Sequence, residues 1–269
     1  MAQSKTGLLS VIVPAYRQEK TIVKDLRRIE RVLNQLPGNY ELICVVDGRK
    51  ADKTYSKAKK IFHGKKGVKI VGYSKNKGKG YAVRYGMART QGNLVAFIDA
   101  GMEIKPAALS MLLEHMNWYS SDVIVGSIRH SASRVIGYPI KRKILSWGYH
   151  WLTHRLFGLR VTDCQRGVKI FRREVLEQVL PRLLVKRYAF DIEMLAVAKR
   201  LGFGRIHDGP IEMDARPMAH TSIASSTIWQ MLRDTLAVFY RLKILRYYDD
   251  ARKGNWRYDP DLDFRVRTG

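Results

Sequence analysis

The sequence predicts an α/β fold in which a mostly parallel sheet is flanked by helices. From residue 8 to about 127, short apolar runs alternate with segments whose apolar residues recur at helical spacing. This alternation is typical of strand–helix–strand units, whose right-handed crossovers give parallel sheets. One run, Leu94–Ile98, has only apolar residues and leads into Asp99, as in a strand buried on both faces. Because ligands bind at the carboxyl ends of such strands, we expect Asp99 to lie at a binding site.

The first part of this region contains three predicted strands and two predicted helices. Each strand is an apolar run, and the second ends at Asp47-Gly48, where the carboxylate either binds a base or ribose or simply forms a turn. The first helix ends at the stop signal Pro37-Gly38, and the second helix is basic. The predicted strands are 8–13, 41–46 and 68–72, and the predicted helices are 21–36 and 52–62.

A Gly/Lys loop at residues 75–80 opens the next predicted helix. Free backbone N–H groups, the positive helix end and the ammonium groups of Lys77 and Lys79 together suit a diphosphate. Lysines in a solvated loop explain the same residues equally well, and the spacing differs from that of the Walker motif. The strand that ends at Asp99 follows. A helix at 106–118 and a strand at 123–125 complete the region.

Composition restricts the classes of partner. The formal net charge of +25 implies an anionic partner, such as nucleic acid, a phospholipid surface or a phosphate-bearing substrate. Cys44 and Cys164 are too few for a disulfide framework, and they fit a reducing, cytosolic setting. We expect no signal peptide, and no apolar run approaches the roughly 18 residues of a membrane span.

The character of the sequence changes after Gly126. Residues 129–173 are strongly basic, and Asp163 is their only acid. In the segment 138–158, apolar residues that include two tryptophans recur at helical spacing among basic residues. This pattern is typical of a helix that lies in a membrane interface, although a core helix with a solvated basic side is the alternative. Three more helices are predicted at 173–183, 189–201 and 223–248, and the last repeats the interfacial pattern.

These patterns suggest a division of the chain into two parts. Residues 1–215 are predicted to form the catalytic domain, including the basic amphipathic segment, and residues 216–269 an amphipathic helix with a polar tail. We expect the tail from Asp249 to be loosely ordered, with Trp256 as an anchor.

Three further groups of residues have the chemistry of possible sites. His150 and His154 have a spacing that could bind zinc, but no third ligand is evident, so we assign them to a cationic helix face. Cys164 has no histidine tied to it by spacing, so we do not assign it as a nucleophile. Asp99 and Glu103 could together hold a divalent cation, although Asp99 as a simple helix cap is the alternative.

Six motifs occur in a fixed order between residues 8 and 215. They are Val13-Pro14-Ala15-Tyr16, Val46-Asp47-Gly48, Asn76-Lys77-Gly78-Lys79-Gly80, Phe97-Ile98-Asp99-Ala100, Gly126-Ser127 and Asp163-Cys164-Gln165-Arg166-Gly167. With this order and spacing, the chain resembles the family-2 glycosyltransferases of the GT-A fold. Within them it is most similar to the polyprenyl-phosphate (dolichyl-phosphate) mannose and glucose synthases, a likeness that Phe190-Asp191-Ile192-Glu193 shares.

The resemblance implies an inverting transfer of mannose or glucose from a nucleotide diphosphate sugar to a polyprenyl or dolichyl phosphate. It implies a divalent metal, Mg²⁺ or Mn²⁺, held by Asp99 and Glu103. In this comparison Asp163 and Gln165 line the sugar site, and Arg129 meets the lipid phosphate. The catalytic residues that it implies are Asp99, Asp163, Gln165 and Arg129. The donor-binding residues that it implies are Pro14, Ala15, Tyr16, Glu19, Asp47, Lys79, Arg84, Asp99 and Ala100.

Several positions depart from the family pattern. Arg17-Gln18 replaces Asn-Glu, and Val46 replaces one Asp of a pair. Gly101 replaces the second Asp of the metal motif and offers no ligand, which weakens the expectation of metal binding more than that of the fold. Arg166 replaces the Cys of the glucose-type motif.

The resemblance also suggests partners and a location. The expected donor is GDP-mannose or UDP-glucose, and the expected location is peripheral, at the cytoplasmic face of an anionic membrane. A membrane-spanning partner subunit is an open expectation. Two alternatives remain: a catalytically silent relative that binds a nucleotide sugar or lipid phosphate, and a basic nucleic-acid-binding protein. No nucleic-acid partner is expected, because no recognised RNA or DNA module appears in the sequence.

Overall fold

The computed structural model describes residues 7–216, 225–249 and 255–268. The strands are β1 Leu9–Ala15, β2 Tyr40–Asp47, β3 Val68–Tyr73, β4 Leu94–Ile98, β5 Val123–Ser127, β6 Arg134–Ile136, β7 Val168–Arg172, β8 Ile206–Pro210, β9 Glu212–Asp214, β10 Asn255–Asp259 and β11 Phe264–Thr268. The helices are α1 Ile22–Leu33, α2 Thr54–Phe62, α3 Lys79–Met87, α4 Ala108–Trp118, α5 Ile140–Phe157, α6 Arg173–Val179, α7 Phe190–Arg200 and α8 Ser225–Phe239. A π-helical turn, Tyr240–Ile244, continues α8.

A seven-stranded sheet organises the molecule. Its strand order is β3-β2-β1-β4-β7-β5-β8. The pairs β1–β2, β1–β4, β2–β3 and β5–β8 are parallel, and β7 runs antiparallel to both β4 and β5. The predicted α/β fold with a mostly parallel sheet is therefore confirmed. The five strands predicted before residue 127 are present, whereas β7 and β8 were not predicted.

Both faces of the sheet are buried, because the side chains of each strand alternate between two apolar layers. On one side, α1, α2 and α4 supply Leu26, Ala58 and Leu112. On the other side, α3, α6 and α7 supply residues such as Val83 and Leu195. Burial of one large aliphatic side chain stabilises a fold by roughly 1.5–3 kcal/mol, so a continuous run of them fixes the central strands firmly.

Helices α5 and α8 expose large apolar side chains, whereas α7 is mostly buried. In α5 only Thr153 and Phe157 are buried, whereas Ile140 is 76% exposed and Trp147 is 65% exposed. Trp229 of α8 is 71% exposed. Clustered apolar surface of this kind marks a site of interaction with a lipid or a protein. None of the helices in the described ranges combines the length and apolar character that crossing a membrane requires.

Part of the C-terminal tail is ordered, which corrects the prediction of a loose tail. Strands β10 and β11 form an antiparallel hairpin. Asp261 in its turn forms an ion pair with Lys77 at 2.7 Å, and the guanidinium of Arg182 lies 5.4 Å from the ring centroid of Trp256. The hairpin forms because it packs against charged and aromatic groups far away in sequence. Residues 223 and 224, where the predicted last helix begins, lie outside the described residues.

Candidate active site

A cavity of about 910 Å³ opens at the carboxyl end of β4. Its floor is polar and comes from the sheet edge and the first turns of α3 and α7. Its other wall is apolar and comes from α5 and α8. The main polar residues are Lys79, Asp99, Arg142, Gln165, Arg166 and Asp191. The apolar residues are Ile144, Leu145, Leu152, Ile228, Met231 and Leu232. One cavity therefore offers charge at one end and hydrocarbon at the other.

Asp99 lies at the end of β4, where the sequence predicted a binding site. Its backbone N–H donates to the carbonyl of Gly167, and its Oδ2 accepts from the Lys79 Nζ at 2.8 Å. A Cβ on Gly167 would lie 2.0 Å from Asp99 Oδ2, so only glycine leaves room for this carboxylate. Burial raises the pKa of Asp99, the Lys79 ammonium opposes that shift, and the carboxylate of Asp191 adds to it. The resemblance assigned Asp99, Lys79 and Asp47 to one donor site, and the structure brings Asp99 and Lys79 together at the cavity.

Asp47 shapes the Gly/Lys loop and does not line the cavity. Its Oδ1 accepts from the Lys77 N–H at 2.7 Å, and its Oδ2 accepts from Asn76 Nδ2 and the Gly78 N–H, both at 2.9 Å. The residue is only 4% exposed. Both oxygens already accept hydrogen bonds within the protein, which favours the turn that the sequence offered as the alternative, and a direct contact of Asp47 with the donor stays a prediction.

The two lysines of the loop point in different directions. Lys79 reaches into the cavity, whereas Lys77 turns to the hairpin and lies 2.7 Å from Asp261 Oδ2 and 3.0 Å from the Tyr81 hydroxyl. Gly78 between them has φ +98°, and a Cβ there would lie 2.6 Å from the carbonyl oxygen of Lys186. The prediction from the sequence placed both ammonium groups at one diphosphate site, but only Lys79 lies at the cavity.

Arg84 and Glu19 were predicted to bind the donor, but the structure places both outside the cavity. The Arg84 guanidinium lies 6.0 Å from the ring centroid of Phe264 in the hairpin, and burial lowers its pKa. Glu19 Oε2 accepts from the Lys53 N–H at 3.0 Å, at the start of α2. Residues near a motif in sequence can lie on the far side of a helix or loop, and the roles of Arg84 and Glu19 in donor binding stay predictions.

The segment Pro14, Ala15 and Tyr16 adjoins the Asp99–Ala100 turn, and its predicted contact with the donor nucleotide stays a prediction. The Ala100 N–H lies 3.4 Å from the carbonyl oxygen of Pro14, and Tyr16 is 41% exposed. Pro14 and Ala15 are buried, so their contribution to the site is the backbone that supports the Asp99–Ala100 turn.

The Asp163 segment contributes an unexpected cation to the cavity. Asp163 is buried and pairs with Arg166 Nε at 2.6 Å, and Arg166 also donates to the Tyr138 hydroxyl at 2.8 Å. Gln165 and Arg166 line the cavity, as Gln165 was predicted to do. Asp163 supports this wall from behind.

Arg129 is anchored to neighbouring elements. It donates to the carbonyl of Thr162 and, at 3.1 Å, to Ser146 Oγ of α5. Ser146 lines the cavity, so Arg129 lies next to the wall without forming it. Its predicted contact with a lipid phosphate stays a prediction.

The carboxylates suit a divalent cation that takes further ligands from a substrate. Within the described ranges, no three His, Cys, Asp or Glu side chains converge closely enough to hold a metal by themselves. Asp99 Oδ1 is buried and accepts no hydrogen bond from the described residues, so its lone pairs are available to a metal ion. Burial raises the pKa of Glu103, and the nearby Asp99 adds to the shift. Gly101, with φ +93°, supplies no third carboxylate.

Sequence reasoning missed Lys169, and it noted Asp191 only as part of a motif. Lys169 of β7 is fully buried, and its Nζ lies 2.6 Å from Asp191 Oδ1 in the first turn of α7. A partial signal was present: one lysine inside an apolar run needs a buried counter-ion, although the sequence does not show which acid supplies it. Arg166 was noted only as a departure from the family pattern.

Comparison with known proteins identifies relatives of the chain. The model of a family described as "Glycosyl transferase family 2" matches residues 10–180. The chain is 31% identical to dolichyl-phosphate beta-glucosyltransferase of Homo sapiens over 270 residues, which cover 95% of this chain and 79% of that protein. It is 35% identical to the enzyme of the same name from Drosophila melanogaster, over 72% of this chain and 63% of that protein.

Solved structures show the same fold. Glucosyl-3-phosphoglycerate synthase from Mycobacterium tuberculosis, in complex with uridine diphosphate, superposes with a TM-score of 0.64 at 20% identity, covering 97% of this chain and 87% of that chain. The same protein in complex with Mn²⁺, UDP-glucose and phosphoglyceric acid gives a TM-score of 0.62 at 20% identity, covering 97% and 86%. These likenesses confirm the GT-A-like fold, and the family match confirms the resemblance seen in the sequence.

Proposed function

Because the chain belongs to glycosyl transferase family 2, we propose that it moves glucose from a nucleotide diphosphate sugar to the phosphate of a dolichyl-type lipid. The observation that carries this proposal is the two-ended cavity. Asp99 and Lys79 form its charged end, and apolar side chains of α5 and α8 form its other end. A charged nucleotide-sugar donor and an acceptor with a phosphate on a long hydrocarbon chain require a charged end and an apolar end in one cavity.

Glucose is favoured over mannose, a choice that the sequence left open. The relatives at 31% and 35% identity are both beta-glucosyltransferases. UDP-glucose is therefore the proposed donor, with Lys79 paired to its diphosphate. An ammonium at the first turn of a helix is well placed for this role, since the helix dipole also favours the anion there.

A divalent cation fits the charged end of the cavity. Asp99 and Glu103 would hold it, because Asp99 Oδ1 is open and oxygen ligands suit Mg²⁺ and Mn²⁺. When bound, the cation supplies positive charge to the departing diphosphate. Lys79 and Arg166 also line this cavity and would share the neutralisation of the diphosphate, so the reaction depends less on a metal held by every motif ligand.

The chemistry needs alignment and charge more than it needs a base. A lipid monophosphate is anionic at neutral pH, so its oxygen attacks the anomeric carbon without prior proton removal. As the new bond forms, the bond from the anomeric carbon to the diphosphate breaks, and its electron pair leaves with the nucleotide. A single displacement of this kind inverts the anomeric centre. Asp163 forms an ion pair with Arg166 and so holds the guanidinium at the cavity. The reaction does not require Asp163 as a base.

The lipid is proposed to enter between α5 and α8. The exposed Trp147, Trp151 and Trp229 suit a membrane interface, where tryptophan is favoured. Basic residues on the same helices, such as Lys141 and Arg233, would attract anionic headgroups, each contributing about 1 kcal/mol near the surface. Peripheral binding at the cytoplasmic face of a membrane and a membrane-spanning partner subunit are parts of this proposal.

A transfer assay tests the proposed function. Purified protein is incubated with dolichyl phosphate in vesicles and with radiolabelled UDP-glucose or GDP-mannose, in Mg²⁺, Mn²⁺ or chelator. We expect glucosyl lipid with a cation present and at most a minor mannosyl product. The exposed Glu177→Gln variant is the control.

Each contrary outcome has a separate meaning. No transfer from either donor, with UDP still bound, would identify a silent relative and reject the proposal. A preference for GDP-mannose would reject the sugar, and full activity in chelator would reject the metal. Binding of RNA in place of vesicles would reject the lipid acceptor.

A further inference from the structure

Four charged groups from four different elements form a line beneath the cavity. Lys79 opens α3, Asp99 follows β4, Lys169 lies in β7 and Asp191 begins α7. The distances between charged atoms are 2.8 Å for Lys79–Asp99, 3.9 Å for Lys79–Asp191 and 2.6 Å for Lys169–Asp191. The line therefore alternates in charge and carries no net charge.

The line is graded in exposure. The Asp99 side chain is 42% exposed and that of Lys79 is 25% exposed, whereas those of Asp191 and Lys169 are 4% and 0% exposed. Both ammonium groups lie near the ring of Phe97, at 5.6 Å and 5.2 Å from its centroid. Lys169 also donates to the carbonyl of Arg166 at 2.8 Å. One end of the line is thus fixed in the core, and the other faces the substrate.

Lys79 consequently has two counter-ions. Asp99 takes the short contact, and Asp191 lies just beyond hydrogen-bond distance on the buried side. A diphosphate that Lys79 contacts competes with Asp99 for the same ammonium group. An ammonium with a single counter-ion would lose its whole compensation inside the protein on leaving Asp99, which is costly in a medium of low dielectric constant.

We propose that Asp191 is a positioning residue that acts through Lys79. It retains the ammonium at the cavity when Lys79 separates from Asp99, so that Lys79 can turn to a donor diphosphate and Asp99 becomes available as a ligand. Lys169 fixes Asp191 in place from beneath. This inference rests on the proposed function for the identity of the anion, a nucleoside diphosphate.

The competing explanation is structural, since Asp191 also neutralises the buried Lys169. The two roles separate in a double variant. Lys169→Met with Asp191→Asn removes both charges of the buried pair and avoids an uncompensated ion in the core. If Asp191 serves only Lys169, this double variant recovers both stability and function. If Asp191 acts through Lys79, stability recovers and affinity for the diphosphate does not.

The experiment measures UDP binding by isothermal titration calorimetry, with and without Mn²⁺, together with Tm and the KM and kcat for UDP-glucose. The variants are Asp191→Asn, Lys169→Met, their combination, and Lys79→Met with and without Asp191→Asn. We expect Asp191→Asn to weaken UDP binding and raise the donor KM by about ten-fold or more. The combination with Lys169→Met should restore Tm but not UDP affinity.

Dependence on Lys79 gives the second criterion. In the Lys79→Met background, we expect Asp191→Asn to weaken UDP binding by less than about two-fold, because the residue through which it acts is gone. An equal loss in both backgrounds would overturn the proposal. Recovery of UDP affinity in the Asp191→Asn/Lys169→Met variant would also overturn it. If Asp191→Asn does not fold, that double variant alone decides the question.

Failure of the proposed function is recognised separately. If the wild-type protein binds UDP but transfers no glucose, the enzyme assignment is contradicted. If the variants then show the expected differences in UDP affinity, the role of Asp191 is still supported. Wild-type protein that transfers glucose, with Asp191→Asn equal to it in UDP affinity and donor KM, contradicts only the role of Asp191.

Discussion

The two walls of the cavity differ in how they are held. The polar wall consists of side chains at the ends of sheet strands and helix first turns, and it is held from beneath by the almost fully buried pair of Asp191 and Lys169. The apolar wall consists of two helices that also carry apolar side chains outside the cavity, such as Trp147 at 65% exposure, which the described residues leave uncovered. The difference indicates that the core pre-organises the polar side, where the donor is proposed to bind. The apolar side is proposed to gain its remaining contacts from the lipid acceptor.

The largest expected effect is on the polar wall. Asp99→Asn removes the charge that pairs with Lys79 and the proposed metal ligand, and leaves the side-chain volume unchanged. We expect kcat for glucosyl transfer to fall by about 10²–10³-fold, with Tm changed by little. Steady-state kinetics and a thermal melt measure this. A variant that keeps more than half of wild-type kcat would contradict a catalytic role for Asp99.

The next effect separates the two loop lysines. Lys79→Met should raise the donor KM by about ten- to one hundred-fold, because a charge-assisted contact to the diphosphate is lost. Lys77→Met is the matched control: it lies two residues away, and its ammonium points to the hairpin. We expect less than about a three-fold change in KM for this control. Equal losses in both variants would show that the loop acts as a whole.

The apolar wall is tested by its exposed tryptophans. The double variant Trp147→Ser/Trp151→Ser should bind anionic vesicles about ten-fold more weakly, while its affinity for UDP stays unchanged. Trp118→Ser is the control, because Trp118 is 71% exposed but ends α4 and belongs to neither α5 nor α8. Vesicle co-sedimentation and calorimetry give the two readouts. Equal weakening by Trp118→Ser would argue against a specific membrane-facing surface.

A smaller effect concerns the hairpin. Asp261→Asn removes the ion pair with Lys77. The side chain of Lys77 is 35% exposed and that of Asp261 is 55% exposed. Exposed pairs of this kind contribute at most about 1 kcal/mol, so we expect a fall in the free energy of unfolding within that limit. Denaturant titration measures it. A fall well beyond that limit would mean that the hairpin supports the whole loop.

The smallest expected effect is on the cysteines. Burial raises the pKa of the Cys44 and Cys164 thiols to about 12, so both stay protonated and unreactive at pH 8. We expect no labelling by a thiol reagent until the protein unfolds, and unchanged turnover for Cys164→Ala. Rapid labelling of the native protein would show that this part of the core opens.

The sequence predicted those parts of the site that depend on residues close together in the chain. The strand that ends at Asp99, the helix opened by Lys79 and the exposed amphipathic α5 all follow from short-range patterns of apolar and basic residues. It did not show that Asp47, Arg84 and Glu19 lie outside the cavity lining, because their side chains turn towards partners 30 or more residues away. Proximity to a motif does not specify direction, because a helix or turn can present the next residue to the opposite side.

The sequence by itself determined the alternation of strands and helices, the carboxylate at the end of the central strand and the basic apolar helices after Gly126, because hydrophobic periodicity is a property of neighbouring residues. The tertiary structure alone decided that β7 inserts antiparallel between β4 and β5, and that this insertion places Lys169 beneath Asp191. It also decided that the hairpin closes over Lys77. Strand pairing and compensation of buried charge depend on groups that only the complete fold brings together.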